Sequence, residues 1–210
     1  VNFLSEWCVV EVYRGGAVWR QEYERGKPLA PVRRMGNTHR TGTKTTFKPD
    51  PLIFPVTDLN FNVIQRRLQE LAFLNKGVKI HLRDLRTNES ETFCYERGIV
   101  EFVEYLNRAS EAIHPEVLYL CEEAEGVTIE LALQYSSEYT ENFHSYVNNI
   151  CTTEGGTHVS GFRAALTRTF NQYGRDNNMF KDLVPTGDDF REGLTGVLAV
   201  RVPHPQFEGQ

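Results

Sequence analysis

Two consecutive glycines, Gly15 and Gly16, separate two segments in which apolar and polar residues alternate. Such alternation is typical of half-buried β-strands, and a glycine pair suits the positive φ angles of a two-residue hairpin turn. We therefore predict an antiparallel hairpin with strands at about 6–14 and 17–24. This hairpin makes an antiparallel sheet the starting point of the fold.

The sequence that follows the hairpin adds three strands and one long helix. A strand at 43–48 is expected to end where "PDPLIFP" follows, because proline cannot donate to a strand ladder. Apolar residues then recur at helical spacing after Thr57 or Asp58, either of which we expect to be the N-cap. Two more strands are predicted at 78–84 and 91–96. The first 97 residues thus predict a mostly antiparallel sheet with one helix.

A second pattern begins at Gly98, where apolar residues from Ile99 to Leu106 mark a short amphipathic helix. A long helix is predicted after "EGGTH", and a helical turn in "GDDFREGL". Strands are predicted at 116–122, 126–136, 142–149 and in "TGVLAVRVP". The chain therefore reads as α+β, with one domain at 1–97 and another at 98–210.

Charge, apolar runs and cysteines limit the possible environments. The net charge of −5 means that any contact with nucleic acid has to come from a local basic surface. The apolar runs are far shorter than the roughly 20 residues that span a bilayer, and we expect a cytoplasmic protein without membrane contact. We interpret the four scattered cysteines as reduced core thiols rather than disulfides or metal ligands: Cys8, Cys94, Cys121 and Cys151.

The helix after "EGGTH" combines an apolar stripe with two arginines. Thr157 is placed to cap its first turn. Arg163 and Arg168 are five residues apart, or about 140° around a helix at about 100° per residue, so they share a polar side only loosely. Taken alone, two arginines are more often a solvated face than a binding site, and His158 is more often structural than a ligand. The stripe consists of Val159, Phe162, Leu166 and Phe170.

Other candidate motifs carry little chemistry by themselves. A threonine hydroxyl in "RTGTKTTF" could bind a ligand, but threonine is common in strands. We expect Asp188 and Asp189 to favour a helix N-terminus rather than a metal. The sequence has no Walker A, dinucleotide or HExxH motif. No self-contained catalytic group of residues emerges from these patterns.

Several long segments together resemble one family along essentially all 210 residues. They include "RTGTKTTFKPDPLIF", "RRLQELAFLNKGVKIHLRD", "NNICTTEGGTHVSGFRAALTRTFNQYG" and "TGDDFREGLTGVLAVRVPHPQFEGQ". In these segments the chain resembles the B subunits of bacterial DNA gyrases, which are type IIA topoisomerases. The resemblance implies the C-terminal portion of a GHKL ATP-binding domain at 1–97 and a transducer domain like ribosomal protein S5 domain 2 at 98–210.

The family resemblance also implies roles for individual residues. Thr43 matches the threonine that helps to bind adenine, and Thr45 would lie beside it in the pocket wall. Arg14 matches an arginine at the rim that aminocoumarin antibiotics contact in relatives. Gln210 matches the first residue of a Gln-Thr-Lys loop that reaches the terminal phosphate of ATP. In the transducer domain, Arg163 and Arg168 would face a cavity through which duplex DNA passes, since guanidinium groups bind phosphate without reading sequence.

The implied function is to couple ATP binding and hydrolysis to DNA strand passage and negative supercoiling. The family's general-base Glu and Mg²⁺-binding Asn would precede Val1, so we expect no hydrolysis by these 210 residues alone and no tight binding of ATP or Mg²⁺. Partners implied for the parent are a DNA duplex, the gyrase A subunit and a second B subunit in an A2B2 complex, with this chain alone a monomer. Topoisomerase IV is one alternative, and a stand-alone nucleic-acid-binding module is another.

Overall fold

The computed structural model describes residues 1–180 and 183–207. The chain forms two compact units, Val1–Asn60 (unit 1) and Phe61–Gln210 (unit 2). Both contain β-sheets, and unit 2 contains the three α-helices of the described residues. The predicted mixed α+β class is confirmed.

Unit 1 is a five-stranded antiparallel sheet. Its order is β3-β2-β1-β5, and β4 also pairs with β2. The predicted hairpin is confirmed, with Gly15 and Gly16 at φ angles of 61° and 75° in the turn between β1 and β2. The strands are β1 (Ser5–Arg14), β2 (Ala17–Glu24), β3 (Lys27–Pro28), β4 (Arg33–Asn37) and β5 (Gly42–Pro49).

The core of unit 1 is small. Its buried apolar residues are Cys8 and Ala17, which are 2% and 4% exposed. Asp50 is buried as well, where Arg25 donates from Nε to its Oδ2 at 2.7 Å and the Leu52 amide donates to its Oδ1 at 2.9 Å. These bonds, first of all the one from Arg25, hold the pKa of Asp50 below its usual value.

Unit 2 is built on a five-stranded mixed sheet of order β11-β10-β12-β9-β8. Strand β12 is buried along almost its whole length, and it runs parallel to β10 and antiparallel to β9. The sheet strands are β8 (Leu118–Ala124), β9 (Val127–Tyr135), β10 (Asn142–Val147), β11 (Ile150–Cys151) and β12 (Leu194–Arg201). The remaining elements are α1 (Phe61–Leu74), β6 (Ile80–Arg83), β7 (Ser90–Phe93), α2 (Ile99–Asn107) and α3 (Thr157–Asp176).

Two apolar clusters hold unit 2 together, one on each face of the sheet. In the first, Phe73 of α1 stacks on Phe102 of α2 with ring centroids 4.7 Å apart, and both pack with Tyr146 of β10. In the second, α3 places Leu166 against Leu133 and Leu194. Because the two helical layers cover opposite sheet faces, β12 lies between them as the central strand.

Several local predictions were wrong. Helix α1 begins at Phe61, so neither Thr57 nor Asp58 is its N-cap. Helix α3 has Gly156 as its N-cap, with no side-chain cap bond, and Thr157 is the first helical residue. The predicted helical turn, by contrast, is present: residues 187–193 form hydrogen-bonded turns in which the Phe190 amide donates to the Thr186 carbonyl and the Glu192 amide to that of Asp188. The short strands β3, β4 and β11 were not predicted.

The cysteine prediction was half right. All four thiols are free, and Cys8 is buried. The others are exposed, because they lie on outer strands or beside turns whose second face has no cover: Cys94, Cys121 and Cys151.

The compact units divide after Asn60, whereas the predicted domain limit lies at residue 97. The reason is that α1 packs on α2 and shares its aromatic cluster. The limits 1–97 and 98–210 concern the two domains of the resembled family, and they stay a prediction, as does the S5-like fold of the second domain.

Candidate functional site

The first candidate site is one face of the unit 1 sheet. Val12 pairs with both Trp19 and Thr43, and Val10 pairs with both Gln21 and Thr45, so all six side chains point to the same side. Arg14, two residues beyond Val12, belongs to this face too. The family resemblance implies that Thr43 and Thr45 lie in a pocket wall and Arg14 at its rim, and the strand register puts all three on one surface.

The opposite face of the same sheet is charged. Glu11 lies between Arg20 and Lys44 on the neighbouring strands, with nitrogen–oxygen distances of 3.7 and 3.4 Å. Lys48 pairs with Glu6 at 2.6 Å. Cross-strand charge pairs of this kind are typical of a solvent face. The face that carries Thr43 and Thr45 is therefore the one with hydroxyl, aliphatic and aromatic groups, which we name the hydroxyl face.

The hydroxyl face suits one wall of a pocket for a flat, polar heterocycle. Thr43 and Thr45 are exposed, and Trp19 is 41% exposed. Hydroxyl groups can donate and accept, and neighbouring aliphatic and aromatic side chains can pack on a ring. The residues fit such a wall, but they do not fit Mg²⁺. Within 1–180 and 183–207, no three His, Cys, Asp or Glu side chains are placed to hold a metal ion.

The second candidate site lies around the start of α3. Gly155 and Gly156, at φ angles of 81° and 146°, lead the chain from β11 into the helix. The entry loop is fixed by hydrogen bonds, because Thr152 Oγ1 lies 2.7 Å from Ser145 Oγ and 3.0 Å from His158 Nε2. Burial lowers the pKa of His158. His158 is thus a structural histidine, as expected.

Arg163 is held by a carboxylate. Its Nη2 donates to both oxygens of Glu141, at 3.0 and 2.9 Å. Glu141 also lies 3.5 Å from Arg191 Nε, and Arg191 in turn pairs with Asp188. These four residues form an alternating chain of charges, Arg163–Glu141–Arg191–Asp188, which we name the charge chain.

Arg168 has a different environment. It is exposed, and the described residues offer it no hydrogen bond or ion pair. Helical geometry places it about 140° around α3 from Arg163, so the two arginines do not form one compact patch. Arg168 is the freely available cation of the pair within the described structure.

The aspartates of the 187–193 turn have structural partners. Asp189 Oδ2 accepts from the Thr186 amide at 2.7 Å and from its hydroxyl at 2.8 Å, and these bonds lower the pKa of Asp189. Asp188 pairs with Arg191. The Asp189 amide also lies 3.5 Å from the Thr186 hydroxyl, so the two residues bond reciprocally at the start of the 187–193 helical turn, the position at which an aspartate was expected.

Sequence reasoning missed Glu141 and Arg191. Glu141 precedes β10 and lies 22 residues before its partner Arg163, and no local motif distinguishes it from other surface glutamates. An open cavity of about 370 Å³ adjoins this region and is lined by Arg163, Thr152, Glu154 and Gly155 among others.

Gln210, the predicted phosphate-loop residue, lies outside the described residues. No helix among those described is long and apolar enough to span a membrane.

Comparisons with known proteins agree on one family. The family model for DNA gyrase B matches residues 98–210. The whole chain is 47% identical to the DNA gyrase B protein of Myxococcus xanthus and 48% identical to that of Bacillus mycoides. It covers 26% of the first relative and 53% of the second, so it spans about a quarter to a half of their lengths.

Solved structures of a gyrase B and of a topoisomerase IV also match the chain. The 43K ATPase domain of Thermus thermophilus gyrase B, in complex with an aminocoumarin, matches with a TM-score of 0.85 and 36% identity, over 99% of this chain and 58% of that one. The topoisomerase IV ATP-binding domain of Francisella tularensis, in complex with a small-molecule inhibitor, matches with a TM-score of 0.82 and 26% identity. That match covers 100% of this chain and 57% of that one.

Proposed function

Because the chain belongs to the DNA gyrase B family, we propose that it forms part of an ATP-driven type IIA topoisomerase. In the parent protein, this part couples ATP binding and hydrolysis to the passage of a DNA duplex and to negative supercoiling. The parent acts in the cytoplasm with a gyrase A subunit and a second copy of itself in an A2B2 complex. The observation that carries the proposal is the common orientation of Thr43, Thr45 and Arg14 on the hydroxyl face.

In this proposal the hydroxyl face is one wall of the ATP site. Thr43 hydrogen-bonds the adenine, Thr45 lines the wall beside it, and Arg14 lies at the rim where an aminocoumarin binds. The Thermus thermophilus relative was solved in complex with an aminocoumarin, so a protein similar to this chain binds a ligand of this class. Gln210 begins the loop that reaches the terminal phosphate. This proposal assigns no Mg²⁺ ligand to residues 1–210.

The adenine contact can be tested in the full-length parent protein. Thr43→Val keeps the shape of the side chain and removes its hydroxyl, so we expect the KM for ATP to rise about tenfold, which corresponds to about 1.4 kcal/mol. Thr43→Ser keeps the hydroxyl and serves as the matched control. Equal KM values for both variants and the wild type would argue against an adenine contact at this position.

For the 210-residue chain alone we propose no ATP turnover and no tight ATP binding. Phosphoryl transfer to water needs a positioned base and a metal ion to offset developing charge, and this proposal assigns neither the general base nor a Mg²⁺ ligand to residues 1–210. A coupled ATPase assay on the purified chain checks this, with the full-length parent as the active control. Turnover by the isolated chain would overturn the proposal.

The equivalent part of a topoisomerase IV is the second candidate, supported by the similarity to the Francisella tularensis domain. The two enzymes differ in the outcome of strand passage. We expect the reconstituted parent to supercoil relaxed plasmid with ATP rather than mainly to decatenate linked circles.

The DNA-facing part of the proposal is assigned to Arg163 and Arg168. Each arginine that contacts a phosphate contributes about one unit to the slope of log affinity against log salt concentration. We therefore expect Arg163→Gln and Arg168→Gln each to weaken binding of a duplex and to reduce that slope by about one.

A further inference from the structure

Arg163, one of the two arginines assigned to DNA, is already paired with a carboxylate in the structure. Its Nη2 donates to both oxygens of Glu141, at 3.0 and 2.9 Å. A carboxylate held in this way occupies donors that a DNA phosphate would use. The arginine that faces DNA in the proposed function is thus not a free cation, in contrast to Arg168.

We propose that Glu141 is an intramolecular competitor for DNA phosphate: it masks Arg163 until a duplex displaces it. The inference rests on the proposed function, because it requires that Arg163 contact DNA. It adds a regulatory residue to that surface, and the ligand that removes the mask is a phosphodiester backbone.

The geometry of the pair makes it easy to exchange. Both bonds to Glu141 start from Nη2, while Nε is buried and has no hydrogen-bond partner within the described residues. A side-on pair that used Nε and Nη2 would occupy both nitrogens on one edge of the guanidinium. Here Nη1 has no partner within the described residues, so a phosphate can approach before the carboxylate leaves.

The solvent exposure of the two side chains also favours exchange. Arg163 is 42% exposed and Glu141 is 22% exposed. An ion pair with this much access to water is weak, in the range of about 0.2–1 kcal/mol, so a phosphate can compete with it. A fully buried pair would lock Arg163 in place instead.

Arg191 provides Glu141 with a second cation. The Arg191 Nε lies 3.5 Å from Glu141 Oε2, and the Arg191 side chain is 19% exposed. When a phosphate takes Arg163, Glu141 still has a positive partner, so no carboxylate is left alone beside the incoming DNA. The charge chain therefore lowers the free energy needed to separate Arg163 from Glu141.

The test measures binding of a duplex of about 40 base pairs to the 210-residue chain by fluorescence anisotropy across a KCl series. Glu141→Gln removes the charge while its amide oxygen can still accept from Arg163, so the fold is kept. We expect affinity to rise about two- to fivefold near roughly 100 mM KCl, the factor that corresponds to a partly exposed ion pair. The salt slope should become steeper by up to about one unit.

Glu154→Gln is the matched control. Glu154 lines the same cavity as Arg163, and its replacement removes the same formal charge, but it has no ion pair in the described structure. We expect Glu141→Gln to exceed Glu154→Gln by at least about twofold in affinity. In the Arg163→Gln background, the effect of Glu141→Gln should shrink to that of Glu154→Gln, because no masked arginine remains.

The outcomes separate the inference from the function on which it rests. Equal effects of Glu141→Gln and Glu154→Gln, a gain that persists without Arg163, or weaker binding by Glu141→Gln would each overturn the masking role. If Arg163→Gln and Arg168→Gln both bind DNA like the wild type, or if the wild type binds none, the DNA contact itself is wrong and the inference is lost with it. Loss of binding in Arg163→Gln without a gain in Glu141→Gln contradicts the inference alone.

Discussion

Gly193, directly before β12, has a backbone conformation that does not tolerate a side chain. Its φ angle is 72°, and an added Cβ would lie 2.5 Å from the Ser136 carbonyl oxygen and 2.8 Å from that of Glu138. We expect Gly193→Ala to cost more than about 3 kcal/mol, the sum of left-handed strain and a clash with rigid backbone. Urea unfolding followed by circular dichroism measures the loss.

Gly126 provides the control for that prediction within the same unit. Its φ angle is 77°, but nothing lies within 4 Å of an added Cβ. Gly126→Ala should therefore cost only the strain, about 1–2 kcal/mol. Equal losses for the two variants would mean that the carbonyl oxygens move aside at Gly193.

Two histidines predict how stability depends on pH. Burial lowers the pKa of both His144 and His158 in the folded chain. Below about pH 6.5, the ordinary histidine pKa, the unfolded state binds protons that the folded state resists, so stability is lost as the pH falls. We expect the free energy of unfolding to decrease between about pH 7.5 and about pH 5.5, and to decrease less in the His144→Gln/His158→Gln variant.

Urea titrations at a series of pH values measure the slope of stability against pH in the wild type and the double variant. A slope that is the same in the double variant and the wild type would show that other groups produce the pH dependence.

The sequence predicted the arrangement of residues at the two candidate sites only in part. The alternation around Thr43 and Thr45 correctly implied a common sheet face, because strand periodicity is local information. The pairing of Glu141 with both Arg163 and Arg191 was not predictable, since it depends on how α3, the residue before β10 and the 187–193 turn approach in space. The roles of Arg14, Thr43, Thr45, Arg163, Arg168 and Gln210 in binding stay predictions.

At the scale of elements, the contact between α1 and α2 depends on one aromatic residue. Phe73 is 2% exposed, and its ring centroid lies 3.7 Å from that of Tyr95 and 4.7 Å from that of Phe102. Phe73→Ala should lower the stability of unit 2 by about 3–5 kcal/mol, because it removes apolar burial and leaves a cavity. Denaturant unfolding monitored by far-UV circular dichroism provides the measurement.

Val63→Ala is the control in the same helix. Val63 is 66% exposed, so its truncation should change stability by no more than about 0.5 kcal/mol. A comparable loss from both substitutions would mean that the aromatic cluster is not what stabilises α1, because alanine is the better helix former at either position.

Element types were predictable from sequence where apolar residues recur with a regular spacing over a long segment. Helices α2 and α3 and the strands β1, β2, β9 and β12 follow from such patterns, and their positions agree within a few residues. Helix starts were less predictable. Gly156 takes the cap position of α3 because the preceding loop is tied back by Thr152 and His158, a tertiary contact that an N-cap rule does not include.

At the scale of the whole molecule, the two units differ in how much apolar surface they bury. Unit 1 has Cys8 and Ala17 as buried apolar residues, while unit 2 has two clusters on opposite sheet faces. Burial of apolar surface is the dominant favourable term in folding. We therefore expect the free energy of local unfolding to be smaller for unit 1 than for unit 2. Native-state hydrogen exchange should show amides of β1 and β5 exchanging well before those of β9 and β12.

That exchange experiment also bears on the proposed role of unit 1. A sheet whose hydroxyl face leaves Trp19 and Phe47 more than two-fifths exposed needs a cover to become stable. If β1 and β5 were protected as strongly as β12 in the 210-residue chain, the hydroxyl face would need no further cover. The proposal that it is one wall of a larger nucleotide site would then lose its main support.

The position of β12 in the sheet has a consequence for biosynthesis. It is the last strand along the described chain, yet it lies between β10 and β9, and its partner β10 precedes it by about fifty residues. While the ribosome makes the chain, the β8–β9 hairpin and the β10–β11 pair emerge first and have no shared neighbour to join them. The nascent sheet therefore stays divided, with open strand edges that chaperones can bind, until residues 194–201 leave the exit tunnel.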